Sequence, residues 1–244
     1  MEQKKPFRAV FFDLGGTLRI ALKDEAHMKH ARRKMAEIAG APMPYEEFYQ
    51  LVEERYAPYR AWALGENKES GDEELWCKWL LPDYDQVRIR QVCHELSFQY
   101  RQTKGRRVVV DGGVEVIQGL HARGYKLGII SNLIGESEIP DWLEEDGLDK
   151  YFDCVVLSSV CHLRKPDGEI YRVACRELGV TPEECVSVAD NVKRDIPGAK
   201  AVGIGANILF DSPEKKHPVT FTEENRPDYV IRDFREILDL PILR

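Results

Sequence analysis

Long apolar runs are missing from this sequence. Crossing a bilayer takes about 18 or more consecutive apolar residues, and the most apolar stretches, residues 129–134 and 201–210, fall well short. No basic run breaks an acidic excess of 42 Asp and Glu over 35 Lys and Arg, a formal charge of −7. Nucleic acid, which calls for clustered Lys and Arg, is therefore not an expected partner. The six cysteines (Cys77, Cys93, Cys154, Cys161, Cys175, Cys185) form no CxxC pair and lie within apolar patterns. They read as reduced thiols used as small hydrophobes. Asp13 ends the first apolar run too soon for a signal peptide, and there is no internal repeat or low-complexity tract. The expectation is a soluble, cytoplasmic protein with neither membrane nor nucleic-acid partners. What is present is 43% apolar residues in 244, enough for a sizeable core. That length suits one large domain, or a core with one inserted module.

The first strand signal is residues 7–12, a short apolar run stopped by Asp13-Leu14-Gly15-Gly16. Continuous runs of this length suit strands buried on both faces, as in a parallel sheet. Over residues 21–103 the texture is helical. Met28, Ala31, Met35 and Ile38 recur at three- and four-residue steps, with Gly40 where a helix should stop. Phe48, Leu51, Val52, Tyr56 and Tyr59 continue the period, then Leu75, Trp76, Trp79 and Leu80, then Val92, Leu96 and Tyr100. Beyond Gly112-Gly113, helices alternate with strands at residues 126–130, 154–157, 186–189, 204–210 and 229–231. Thr181-Pro182-Glu183-Glu184 reads as a capping box opening at most one helical turn. Residues 211–227 read as a polar surface loop. The pattern predicts an α/β fold, a doubly wound parallel sheet with an inserted all-helical module. Its core spans residues 1–20 and 106–244, and the insert spans 21–105.

In an open α/β sheet, ligands bind beyond the carboxyl ends of the strands. Three predicted strands run into polar residues there: Phe12 into Asp13, Ile130 into Ser131-Asn132, and Ala189 into Asp190-Asn191. Lys165 occupies a fourth such loop. A nucleophilic carboxylate, a hydroxyl, an ammonium and a second carboxylate suit phosphoryl transfer, where positioning and charge neutralisation carry catalysis.

The segments FFDLGGTL (residues 11–18), LGIISN (127–132), RKPDGEIY (164–171) and VADNVKRDIPGAKAVG (188–203) occur in this order, each around a predicted strand end. Together they resemble the haloacid dehalogenase-like hydrolase superfamily, with its Rossmann-like core, over about residues 6–21 and 108–210. The helical insert resembles that superfamily's cap. The resemblance implies a Mg²⁺-dependent phosphohydrolase acting on a small phosphorylated metabolite. Asp13 would be the nucleophile forming an aspartyl-phosphate. Ser131, Lys165 and the backbone amides after Asp13 and Ser131, at Leu14, Gly15 and Asn132, would hold the substrate's phosphoryl oxygens. Asp13, Asp190 and the Gly15 carbonyl would bind Mg²⁺. Thr17 would brace the first loop, and Asp195 would contact the metal or its ligands.

Each position also has a plainer reading. Asp13 and Ser131-Asn132 could be turn formers, Lys165 a solvated cation, and Asp195 the N-cap of the helix beginning at Ile196-Pro197. His27 and His30 share a helix face as solvated residues. Trp62, Trp76 and Trp79 read as core of the insert before substrate platform. One position departs from the superfamily's pattern: Gly15 stands where its phosphatases carry an aspartate that acts as general acid and base. Such help is worth typically 10²–10⁴-fold. Three readings stay open: a phosphohydrolase with a substitute for that acid, a phosphate-ligand or protein-binding relative with weak or no turnover, and a dehalogenase or phosphonatase. The substrate and the oligomeric state are not legible.

Overall fold

The apolar runs that end at Asp13, Ser131 and Asp190 lie side by side in one sheet. A computed structural model describes residues 7–213 and 219–244; what was expected of residues 1–6, and of 214–218 in the polar loop, lies outside the described residues. The strands are β1 (Ala9–Phe12), β2 (Arg19–Leu22), β3 (Arg106–Val109), β4 (Lys126–Ser131), β5 (Cys154–Leu157), β6 (Cys185–Ala189), β7 (Ala206–Phe210) and β8 (Tyr229–Ile231). Six of them form a parallel sheet in the order β5-β4-β1-β6-β7-β8. The chain winds outward from β1 on one side and then returns to the other, so β1 is the switch point where ligand crevices form.

Alternation along β1 explains why both faces are covered. Val10 and Phe12 point into one apolar layer with Ile117, Trp142 and Phe234; Ala9 and Phe11 point into the other with Ile170, Ala174 and Ala199. Helices α5 (Gly113–Ala122) and α6 (Glu138–Glu145) cover the first face, while α8 (Glu169–Leu178) and α9 (Asp195–Ala201) cover the second. A short helix, α7 (Ser158–Cys161), follows β5. The doubly wound α/β architecture is thus the expected one.

The insert holds α1 (Glu25–Ala39), α2 (Tyr45–Glu66), α3 (Asp72–Glu74), a π-helical turn at Leu75–Leu80 and α4 (Gln86–Gln102). Gly40 ends α1 with φ 68°, as its position suggested. Trp76 is fully buried, donating Nε1–H to Ser97 Oγ at 2.8 Å, and Trp62 and Trp79 pack against that core. The insert is not wholly helical. Its base is an antiparallel ladder in which Ile20 pairs with Val108 and Ala21 with Arg107, so a boundary drawn at residues 20/21 cuts β2 in half. Arg19, Arg106 and Arg107 interrupt the apolar alternation there, which hides two short strands whose ladder depends on each other's backbone. Helix α6 is likewise absent from the periodic reading, because Pro140 and four acidic residues dominate its eight positions; proline is tolerated there because it lies in the first turn. The Thr181 capping box does form, over a single 3₁₀ turn at Pro182–Glu184.

Buried carboxylates tie insert to core. Glu138 receives Arg19 from β2 (3.2 Å) and Arg101 from α4. Glu69, after α2, accepts from Tyr59 Oη (2.5 Å), from Ser158 Oγ on α7 (3.1 Å) and from Arg164.

Candidate active site

The β1 ladder fixes Asp13, whose amide donates to Val188 O at 2.9 Å. The chain then folds back: Thr17 N and Arg19 N both donate to Leu14 O, at 3.1 and 2.8 Å. Gly16 makes that turn with φ +88°, and a Cβ on it would meet Asp190 Oδ2 at 2.6 Å. Only glycine fits there. Gly15 is exposed, lies outside the left-handed region, and a Cβ on it would have no neighbour within 4 Å.

Asp13 is 4% exposed, and both its oxygens are engaged. Lys165 Nζ donates to Oδ1 at 2.7 Å; Arg194 Nη2 and Thr17 Oγ1 donate to Oδ2 at 3.2 and 3.4 Å. Lys165, itself buried, also donates to Ile130 O at 2.8 Å and lies 2.5 Å from Asp195 Oδ1. Asn132 holds the Lys165 backbone from both sides: Nδ2 donates to Lys165 O and Oδ1 accepts from Lys165 N, each at 2.8 Å. The side chain of Asn132 is therefore committed to positioning Lys165. Its backbone amide is the part that lies next to Ser131.

Arg194 Nη2 also reaches Asp195 Oδ2 at 3.1 Å and Asp190 Oδ1 at 3.8 Å. Burial opposes its charge, but Asp195, Asp13 and Asp190 outweigh burial and hold the guanidinium protonated above its usual range. Burial would likewise raise the Asp195 carboxyl; Lys165 and Arg194 more than offset this and keep it below the usual carboxylate range. Tyr171 Oη donates to Asp195 O at 3.0 Å, and burial, with Asp195 and Asp13 nearby, pushes its pKa well up. It stays a neutral donor. Asp195 is not the N-cap of α9: Arg194 precedes the helix, and the Asp195 carboxylate is spent on the site.

The carboxylate oxygens of Asp13, Asp190 and Asp195 lie within 4.8 Å of one another. Three carboxylates against the two cations Lys165 and Arg194 leave one negative charge. A donor set made only of oxygens suits a hard divalent cation, so these residues fit Mg²⁺.

A family model for haloacid dehalogenase-like hydrolases matches residues 7–203. The chain belongs to this family. Among relatives of this hydrolase, the pyrophosphatase PpaX of Halalkalibacterium halodurans is 31% identical over 130 residues, 53% of this chain and 58% of the relative. The glyceraldehyde 3-phosphate phosphatase of Methanothermobacter thermautotrophicus is 30% identical over 236 residues, 93% and 95% of the two chains. The solved 2-haloacid dehalogenase of Pseudomonas syringae pv. Tomato DC3000 aligns with a TM-score of 0.67 at 19% identity, over 96% of this chain and 97% of the other. At that identity the likeness speaks for the fold alone. No helix among the described residues is long and apolar enough to cross a membrane.

Of the positions singled out in this hydrolase from sequence, Asp13, Thr17, Lys165, Asp190 and Asp195 form one contiguous cluster around Asp13 and Gly16. Ser131 ends β4, buried, on the strand beside β1. His27 Nε2 lies 3.2 Å from Gln102 Oε1, and His30 is exposed. Arg194 was missed. The only signal for it was a basic residue four positions after Asp190, one helical turn on, immediately before Asp195.

Proposed function

We propose that this hydrolase is a Mg²⁺-dependent phosphohydrolase that acts on a small phosphorylated metabolite through an aspartyl-phosphate. The observation that carries this reading is a nearly buried Asp13 at the sheet's switch point, held at one oxygen by Lys165 and set beside two further carboxylates. The two curated relatives, both named as phosphatases or pyrophosphatases, support it.

In this reading an Asp13 oxygen attacks phosphorus, the ester P–O bond breaks, and the alcohol oxygen leaves with the bonding pair and takes up a proton. Water then attacks the aspartyl-phosphate, releasing phosphate and restoring the carboxylate. Lys165 neutralises charge on the transferring oxygens. Ser131 and the backbone amides of Leu14, Gly15 and Asn132 take the others. Asp13, Asp190 and the Gly15 carbonyl would hold Mg²⁺, with Asp195 and Thr17 bracing these ligands; when bound, the ion supplies positive charge against the phosphoryl oxygens. Residues 21–105 act as the cap over the core.

The test is phosphate release from a panel of phosphate esters, with Mg²⁺ or EDTA, in the wild type and in Asp13→Asn. Release should need Mg²⁺ and should vanish in Asp13→Asn, whose amide is nearly isosteric but a poor nucleophile. Wild-type rates in the variant would remove Asp13 as nucleophile, and full activity in EDTA would remove the metal.

A second reading, phosphate-ligand or protein binding with weak or no turnover, is favoured by Gly15. Two titratable residues at the start of the insert have partners elsewhere: Asp24 caps α1 through His27 N at 3.0 Å, and His27 Nε2 faces Gln102. Tight binding of a phosphorylated ligand without phosphate release would select this reading.

A further inference from the structure

A cavity of about 320 Å³ lies between the insert and the loop after β4. Asn132 and Arg164, the chain neighbours of Ser131 and Lys165, line it, so it adjoins the phosphoryl-transfer site. Its other cations are Arg60, Arg101, Lys104 and Arg107, against only two carboxylates, Glu53 and Glu69. Three of these five cations are answered within the protein. Lys104 pairs with Glu53 at 2.6 Å, Arg164 with Glu69, and Arg101 with Glu138. Among the described residues, no carboxylate stands at ion-pair distance from Arg60 or Arg107.

Arg107 is the more informative of the two. The β2–β3 ladder fixes its place opposite Ala21, and its Nε is buried without a hydrogen-bond partner. Burial, with Arg101 and Arg19 close by, lowers its pKa to about 10. A guanidinium in that state gains from an arriving anion, because neither water nor a carboxylate compensates it fully. Arg107 also borders a larger cavity of about 760 Å³, but there three arginines, Arg19, Arg106 and Arg107, face five carboxylates, Glu95, Glu138, Asp141, Glu145 and Asp146, so its lining is acidic in balance. Only the smaller cavity combines excess positive charge with the reacting groups.

We propose, building on the phosphohydrolase reading, that this cavity binds a second anionic group of the substrate, a carboxylate or a second phosphate. The substrate is then a small phosphate ester whose far end is charged, gripped by Arg107 and, nearer solvent, by Arg60. A volume of about 320 Å³ admits a group of a few heavy atoms, not a polymer.

Three esters with the same three-carbon skeleton test this: glycerol 1-phosphate, 3-phosphoglycerate and glycerol 1,3-bisphosphate. A charge-assisted hydrogen bond corresponds to about 10–100-fold in affinity. The wild type should therefore prefer one or both charged esters by that factor in kcat/KM, mostly through KM. Which of the two is preferred tells carboxylate from phosphate. Arg107→Met should erase most of the preference by raising KM for the charged ester, and Arg60→Met should do so more weakly. Equal kcat/KM for all three esters, or an Arg107→Met variant that slows all three alike, would overturn the proposal. Thermal shifts of Asp13→Asn and of Asp13→Asn/Arg107→Met with the same esters separate the two readings. Stabilisation of the single variant by a charged ester, lost in the double variant, upholds the pocket even if nothing is turned over. Stabilisation by all three esters alike rejects the pocket even if phosphate release is fast.

Discussion

Placing an aspartate at Gly15 tests the mechanism most directly. A Cβ at this position meets nothing within 4 Å and the backbone lies outside the left-handed region, so Gly15→Asp should fold. General acid–base help contributes typically 10²–10⁴-fold, or about 3–5.5 kcal/mol of barrier at about 1.4 per decade. The need for it depends on the leaving group: an aryl oxide departs readily as the anion, whereas an alkyl alkoxide needs the proton. The wild type should therefore cleave p-nitrophenyl phosphate on the order of 10²-fold faster than an alkyl ester of similar size. Its aspartyl-phosphate should also accumulate as a burst, because no side chain at residue 15 activates water. In Gly15→Asp the alkyl rate should rise by about 10²–10⁴-fold, the aryl rate by much less, and the burst should shrink. Gly16→Ala is the contrast, since its Cβ would lie 2.6 Å from Asp190 Oδ2; it should lose activity. Equal wild-type rates on both leaving groups, with no burst, would refute the reasoning. Some other residue would then already supply the proton, and exposed Glu25 is the first to mutate.

Arg194→Met should raise Mg²⁺ affinity, measured by calorimetry without substrate, by about 10-fold or more, because the guanidinium contacts both carboxylates that would hold the ion, Asp13 and Asp190, and Asp195, which would brace them. An unchanged affinity would mean that Arg194 stands clear of the metal. Glu138 predicts a pH effect away from the site. Burial alone would raise its carboxyl, but Arg101 and Arg19 outweigh burial and hold it below the usual range. With a depressed folded value, its pairing stabilises the fold fully above the unfolded-chain pKa of about 4.3 and is lost as pH falls through the folded value. Glu138→Gln should therefore be less stable than the wild type at neutral pH, with arginines left uncompensated. Its urea midpoint should also fall less steeply between about pH 5 and pH 3. Parallel pH profiles would reject that role.

The six strands of the main sheet were legible because each is a short apolar run stopped by a polar residue, a signal carried by adjacent residues alone; all but the edge strand β8, where Val230 is exposed, are largely buried on both faces. The helices of the insert were legible for the same reason, through the period of Met28, Ala31 and Met35 and the stop at Gly40. So was the order of chemical groups at the strand ends, Asp13, Ser131, Lys165 and Asp190, since strand ends at one edge of a parallel sheet must face one crevice. Other features depended on partners far along the chain. Strands β2 and β3 exist only as each other's ladder, 84 or more residues apart. The second task of Asn132 is invisible locally: its side-chain amide holds the backbone of Lys165, 33 positions later, from both sides. Gly15 and Gly16 look alike in sequence; the approach of Asp190, from the neighbouring strand β6, makes one obligatory and leaves the other open. Arg194 looks like a surface charge until the fold turns it onto three carboxylates, Asp13 and Asp190 after two strand ends and Asp195 at the start of α9. Local periodicity encodes burial, while charge compensation and close approach belong to pairs that only the packed chain brings together.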